Sequence, residues 1–204
     1  METVIPELQP TPERRVSTMQ THAVTLRGAA VTLRPMGEGD WDILLKWNND
    51  PAVMELADHN PFEESTLEEL QTIYRWISTH AYCFIMEVDG NPIGECWLQR
   101  MNLQRVVAQF PDQDLRRIDL MIGEKELWGR GYGTEAIRLL VDFGFQRAWA
   151  DAIFAPVMAD NHRSQRAFQK NGFTCHARIQ EPDGRVNTDL VVWRTEYETA
   201  VPRE

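Results

Sequence analysis

The spacing of apolar residues changes several times along this chain of 204 residues, and each change marks an expected element. Ala23-Val-Thr-Leu-Arg27 and Ala30-Val-Thr-Leu-Arg34 repeat one alternating pentapeptide around Gly28-Ala29, which predicts two strands joined by a type II′ turn. Asp40 stands ready to cap a short helix with Trp41, Leu44 and Leu45 on one face, and Pro51 follows its end. Thr66 and Glu69 form a capping box before Leu67, Leu70, Ile73, Tyr74 and Ile77, which recur at helical spacing. From Tyr82 the period falls to two. Tyr82–Val88 and Ile93–Met101 read as strands joined at Asp89-Gly-Asn-Pro92, and 105–114 reads as a loop. Ile118, Leu120 and Ile122 then alternate with Asp119 and Met121, a strand with two different faces. A helix carries Ile137, Leu140, Val141, Gly144 and Ala148 on one side, and a strand at Asp151–Pro156 follows it. The helix Asn161–Lys170 is closed by Asn171-Gly172. Strands at Thr174–Gln180 and Val186–Trp193 flank Pro182-Asp-Gly184. The class is α/β (α+β), a mixed sheet with helices on its faces.

Composition narrows the function. The chain has 21 Lys and Arg against 31 Asp and Glu, a net charge of −10. That balance argues against sequence-independent nucleic-acid binding, which needs a basic face, and suits a cationic ligand or simple solubility. Cys83, Cys96 and Cys175 are odd in number and widely spaced, so neither a disulfide framework nor a metal site is expected. No apolar run approaches the ~18 residues of a membrane span. Residues 1–21, with Pro6, Pro10 and Pro12 and few large apolar side chains, read as a disordered extension before one domain over 22–204. The expected setting is cytoplasmic, without membrane or nucleic-acid partners, as a monomer or homodimer.

Two segments carry chemistry. Gly129-Arg-Gly-Tyr-Gly133 lies between a strand and a helix, where converging backbone N–H groups and the helix dipole suit a pyrophosphate. The third glycine comes too early for a dinucleotide-binding fingerprint, and no Gly-Lys-Ser/Thr follows. The second segment is Asn161-His-Arg-Ser164, which opens the helix ending in Phe168-Gln-Lys-Asn-Gly-Phe173. Together, one strand apart, the two resemble the GCN5-related N-acetyltransferases over roughly residues 22–196.

That resemblance implies a sheet, mixed but mostly antiparallel, splayed into a V and flanked by about four helices, with acetyl-CoA in the V and no metal. It implies Gly129, Arg130, Gly131, Gly133 and Thr134 at the pyrophosphate, and Asn161 on the cofactor arm. Backbone groups of Met121 and Ile122 would hold the pantetheine. Trp128 replaces a usual Gln or Arg. Phe168 stands at the cofactor where many relatives carry a Tyr acid, and Phe cannot donate a proton; a thiol of pKa ~8.5 can leave unassisted.

Val31-Thr-Leu-Arg-Pro35, Trp47-Asn-Asn49, Gly90-Asn-Pro-Ile-Gly94, Arg117-Ile-Asp119 and Pro182-Asp-Gly184 are similar in order and spacing to aminoglycoside 6′-N-acetyltransferases. The implied substrate is a small polyamine such as an aminoglycoside, with Asp119 meeting and deprotonating the reacting amine. A second acid of that branch is missing, since Ala155 or Pro156 stands in its place, so a 2′-amine is as open as a 6′-amine. Glu95 is the weaker acid candidate, Asp112 and Asp114 suit attraction of a polycation, and Trp97 is a possible pocket wall. The alternatives are a siderophore-lysine or protein N-terminal acetyltransferase, or an acyl-CoA-binding module without turnover.

Overall fold

The computed structural model describes residues 17–57, 62–180 and 184–200. Eight strands form one sheet: β1 (Leu26–Arg27), β2 (Val31–Pro35), β3 (Ala81–Val88), β4 (Asn91–Arg100), β5 (Leu115–Ile122), β6 (Ala152–Met158), β7 (Thr174–Gln180) and β8 (Val186–Trp193). The helices are α1 (Trp41–Asn48), α2 (Pro51–Ala57), α3 (Leu67–Ser78), α4 (Gln104–Val107), α5 (Tyr132–Gln146), α6 (His162–Gln169) and α7 (Arg194–Ala200). Among the described residues only α1, α3, α5 and α6 reach eight residues, which are the four that periodicity predicts.

Strand order is β1-β2-β3-β4-β5-β6-β8-β7, and every pairing is antiparallel except β5 with β6. The parallel pairing is short. Leu115, Arg116 and Arg117 meet Ala152, Ile153 and Phe154, and beyond them the two strands diverge unpaired to Ile122 and Met158. Their outer edges stay covered by β4 and β8, so the open edges of these two strands are the ones that face each other across a V.

Alternation along the strands divides the core into two faces. Phe84, Met86, Leu98 and Ile118 pack with Ile137, Leu140 and Val141 of α5. Cys83, Ile85 and Met121 point the other way, to Trp41, Leu44 and Trp47 of α1 and Leu70 and Tyr74 of α3. A smaller cluster of Val106, Leu115, Phe154 and Val191 closes the end where β5 and β6 are paired.

Several elements differ from the sequence reading, each for a local reason. Residues 1–16 of the expected extension lie outside the described residues, as do Pro182 and Asp183. Met19, however, is buried among Trp41 and its neighbours, and its N–H donates to Glu38; the packed region therefore begins before residue 22. The β1–β2 turn is shifted by one residue: Arg27 pairs with Thr32 and the Gly28 N–H donates to Val31 O at 2.8 Å, so Ala29 and Ala30 make the turn, and Gly28 is not among the positive-φ glycines. Instead, the Glu135 carboxylate of α5 accepts from the N–H groups of Ala29 and Ala30. Pro51 begins α2 rather than merely ending α1, because Asp50 accepts from the Ala52 N–H at 3.0 Å and Pro suits a first helical turn. The segment read as a loop contains α4, held by buried Val106.

Gly123 follows β5, and a Cβ there would overlap the Trp47 indole. Gly123→Ala is therefore expected to destabilise the protein by ~1–3 kcal/mol through overpacking, lowering the melting temperature by several degrees in calorimetry; an unchanged melt would show that Trp47 moves aside freely.

Candidate active site

The geometry of β5 decides which backbone groups face the V. Gly123 donates its N–H to Ile93 O at 2.9 Å, and Gly94 pairs with Ile122. In an antiparallel ladder successive residues direct their N–H and C=O to opposite sides. Met121, Asp119 and Arg117 thus bond toward β4, whereas Leu120 and Ile122 present their backbone groups to the open V. Met121 therefore lacks the backbone role expected of it; its side chain lies in the α1–α3 core cluster and at the cavity edge. Ile122 keeps its N–H for the V, but its C=O already accepts from Trp128 Nε1 at 2.8 Å. Leu120, which residue type alone did not single out, offers both groups.

The V opens into a cavity of about 400 Å³. Gly129, Gly131, Gly133 and Thr134 line one end of it. Gly129 and Gly131 have φ of +77° and +90°, a region that favours glycine. Gly131 is the N-cap of α5, so the first N–H groups of a 15-residue helix have no intrahelical acceptor and point outward. Asn161 lines the opposite wall, where its Oδ1 accepts from Ser164 N–H at 3.0 Å and its Nδ2 donates to Leu56 O at 3.3 Å. It thereby ties the start of α6 to the end of α2. Arg130 is exposed on the loop but outside the cavity lining.

On the other face of β5, Asp119, Glu95 and Trp97 do come together. Asp119 accepts from Trp97 Nε1 (2.9 Å) and Gln99 Nε2 (2.8 Å) on one oxygen and from the Arg117 guanidinium on the other, at 3.1 and 2.6 Å. Glu95 is 3% exposed. One of its oxygens accepts from the Tyr74 hydroxyl, which itself accepts from Asn48 Nδ2 at 3.0 Å. Its other oxygen, Oε2, is buried without a hydrogen-bond partner among the described residues. Burial pushes the Glu95 carboxyl up to about 8; the Tyr74 hydrogen bond opposes that rise and the Asp119 charge adds to it. Tyr74 stands edge-on to Trp97, with ring centroids 5.9 Å apart.

Three expected site residues fall elsewhere. Phe168 is 3% exposed and packs edge-on against Phe173 in the α5 core, outside the cavity lining. Its apolar ring satisfies that core. Asp114 lies before β5, ~23 Å of strand from Met121 at 3.3 Å per residue; it pairs with Arg116 at 2.6 Å. Asp112 is exposed in the same loop. Both belong to the closed end of the V, because that loop leads into the paired part of β5. Tyr74 and Arg117 are site residues that sequence reasoning passed over: one was assigned to a helix's apolar face, the other lay two residues before the acid it binds.

A split sheet with a glycine-rich helix start at its opening defines the chain as an acetyltransferase (GNAT) domain protein, and it belongs to that family, whose model matches residues 30–174. It is an acetyl-CoA-dependent N-acetyltransferase. Its sequence is 25% identical over 177 residues to an aminoglycoside N(6′)-acetyltransferase type 1 of Serratia marcescens, covering 84% of this chain and 88% of that protein. The solved structure of AAC(6′)-Ib in complex with ribostamycin and coenzyme A superimposes with a TM-score of 0.71 at 25% identity, covering 86% of this chain and 99% of that one. A spermidine N-acetyltransferase from Vibrio cholerae, solved with CoA and spermine, shares the fold, with a TM-score of 0.70 at 19% identity over 83% of this chain and 99% of that one.

Glu95 makes a signed pH prediction. Its ordinary value is 4.5 and its folded value about 8, so between those pH values the native state holds a proton that the unfolded state has released. Stability attributable to Glu95 therefore falls as pH rises through that window and levels off above it. Glu95→Gln is expected to remove this slope, gaining on wild type by on the order of 3 kcal/mol between pH 5 and pH 8 in urea unfolding. Parallel stability curves for the two proteins would contradict a buried, neutral Glu95.

Proposed function

We propose that this N-acetyltransferase transfers the acetyl group of acetyl-CoA to a primary amine of a small polycation, an aminoglycoside. The observation that carries the reading is the placing of two carboxyls, Glu95 and Asp119, across β5 from a cavity with no acid in its lining among the described residues. The aminoglycoside acetyltransferase relatives support the same substrate class. Acetyl-CoA then occupies the V, with its pyrophosphate on the N–H groups that begin α5 and its pantetheine against Leu120 and Ile122.

The amine lone pair attacks the thioester carbon, the N–C bond forms and the C–S bond breaks, and the electron pair leaves on sulfur. The proton that the nitrogen sheds on becoming an amide ends on the thiolate. A backbone N–H of β5 facing the V, that of Leu120, stabilises the oxyanion of the tetrahedral intermediate. The amine must shed a proton to attack. Asp119, fixed by Trp97, Gln99 and Arg117, orients the amine and accepts that proton, while the buried Glu95 is held protonated beside it. No side-chain acid is needed at the sulfur, since a thiolate of pKa ~8.5 is a competent leaving group. Acetylation removes a positive charge from the substrate, the chemical basis for antibiotic resistance exercised in the cytoplasm.

A thiol-release assay across an aminoglycoside panel, with spermine alongside and product mass spectrometry to locate a 6′- or 2′-acetyl group, tests the substrate class. Turnover of spermine alone would replace the aminoglycoside reading. Asp119→Asn is expected to lower kcat by ~10²-fold or more with the acetyl-CoA KM unchanged; full turnover in that variant would remove Asp119 as the proton acceptor. Gly131→Val should raise the acetyl-CoA KM at least tenfold, to order of magnitude, because the loop amides act through close backbone approach. An unchanged KM in a folded variant would move the pyrophosphate elsewhere.

A further inference from the structure

Asp119 is saturated with hydrogen bonds before any substrate reaches it. Its Oδ2 accepts from Trp97 Nε1 at 2.9 Å and Gln99 Nε2 at 2.8 Å, and its Oδ1 accepts from Arg117 Nε and Nη2 at 3.1 and 2.6 Å. A carboxylate offers about four lone-pair sites, so no acceptor position remains for an ammonium group. The side chains of Arg117 and Asp119 nevertheless stay 15% and 20% exposed, so the pair can be reached from solvent. An amine that meets Asp119 must therefore take the place of one of these donors.

The donors are not equally fixed. Trp97 and Gln99 stand on β4, opposite Asp119 and Arg117 in the ladder. Gln99 is buried, and Trp97 packs against the α1–α3 core cluster. Arg117 reaches Asp119 along its own strand, and its Nη1 donates to Oδ1 of the exposed Asn102 at 3.2 Å. Both of its N–H groups toward Asp119 converge on Oδ1, because Trp97 and Gln99 occupy Oδ2. It thus lacks the two-oxygen fork that makes an Arg–carboxylate pair strong. A long side chain held in this way is the donor that gives way. In the absence of substrate it supplies the positive charge that a partly buried carboxylate needs.

We propose that Arg117 is a displaceable counter-ion, which occupies Asp119 in the free enzyme and yields it to the ammonium group of the substrate. This rests on the reading that Asp119 meets the reacting amine. One cation replaces another, so the carboxylate is not left without a partner, and Trp97 and Gln99 keep it oriented after Arg117 swings toward Asn102. The exchange favours substrates that arrive as cations over neutral nucleophiles such as hydroxyls, because only a charged donor competes well with a guanidinium. Once the ammonium is seated, Asp119 takes its proton on the oxygen that Arg117 has left.

The test measures ribostamycin binding by calorimetry to the full chain saturated with coenzyme A. Arg117→Gln is expected to bind about five- to tenfold more tightly than wild type, between what an exposed ion pair and a charge-assisted hydrogen bond contribute. An Arg117 that only braces the site predicts the opposite sign. Arg117→Lys retains a cation and should stay within about twofold of wild type. Arg27→Gln, which removes an exposed charge from β1 at the far edge of the sheet, should change little and controls for net charge. In an Asp119→Asn background, Arg117→Gln should add no more than Arg27→Gln does. In wild type, saturating ribostamycin should speed exchange of the Arg117 Nε proton with water, read by heteronuclear NMR, a measurement that needs no variant. Equal or weaker binding by Arg117→Gln, or an Nε proton that is not released, overturns the exchange and leaves Asp119 as the amine's partner. Asp119→Asn binding ribostamycin as tightly as wild type overturns that partner role, and the exchange with it. Absence of binding in both wild type and Arg117→Gln overturns the aminoglycoside reading together with the exchange.

Discussion

The structure turns on one interruption of hydrogen bonding, the loss of pairing between β5 and β6 after Arg117 and Phe154. Backbone N–H and C=O groups left dry cost ~1–3 kcal/mol each, and an open strand edge invites a partner. Every other edge near the middle of the sheet is paired. The unpaired stretch of β5 is thus a built acceptor for an extended, amide-bearing chain, and pantetheine has that chemistry. The rest of the fold holds the gap open. Asn171 bridges α6 to Thr134 of α5 at 3.0 Å, Asn161 bridges α6 to α2, and Glu135 grips the β1–β2 turn.

The same strand separates two chemistries. Leu120 and Ile122 turn their backbone groups to the V, while Asp119 turns its side chain to Trp97 on the α1–α3 side, so one strand puts an amide edge next to a carboxyl-bearing wall. Lys46 with Glu124 and Lys125 with Asp50, at 2.6 and 2.8 Å, fasten the α1–α2 layer to the loop that follows β5. These pairs are partly exposed and worth less than ~1 kcal/mol each. Their contribution is orientation, since the Trp47 ring packed on Gly123 already supplies apolar burial at the same place.

Much of this was legible in the sequence because local signals agreed with the global fold. The capping box at Thr66 and Glu69 forms, with Glu69 N–H donating to the Thr66 hydroxyl. Asp89-Gly90 makes the β3–β4 turn with φ of 51° and 76°. The glycine loop and Asn161 meet at one cavity as their motifs imply. What could not be read was anything set by contacts distant in sequence. Glu135 holds the turn of the first hairpin at Ala29-Ala30 from 105 residues away. Phe168 looks like a cofactor residue by position, but Phe173 claims it for the core. Asp119 reads as an acid interrupting an apolar strand, and nothing local shows that Trp97 and Gln99 of β4 already bind it. The backbone direction of Leu120 against Met121 depends on register, which residue type does not encode.

The claim that the open edge of β5 receives the cofactor can be tested directly by residue-resolved amide hydrogen exchange with and without acetyl-CoA. Saturating acetyl-CoA should slow exchange at Leu120 and Ile122 and at Gly131–Thr134, while Met121, already bonded toward β4, keeps its rate. Protection confined to other parts of the chain, with Leu120 and Ile122 unchanged, would contradict the account.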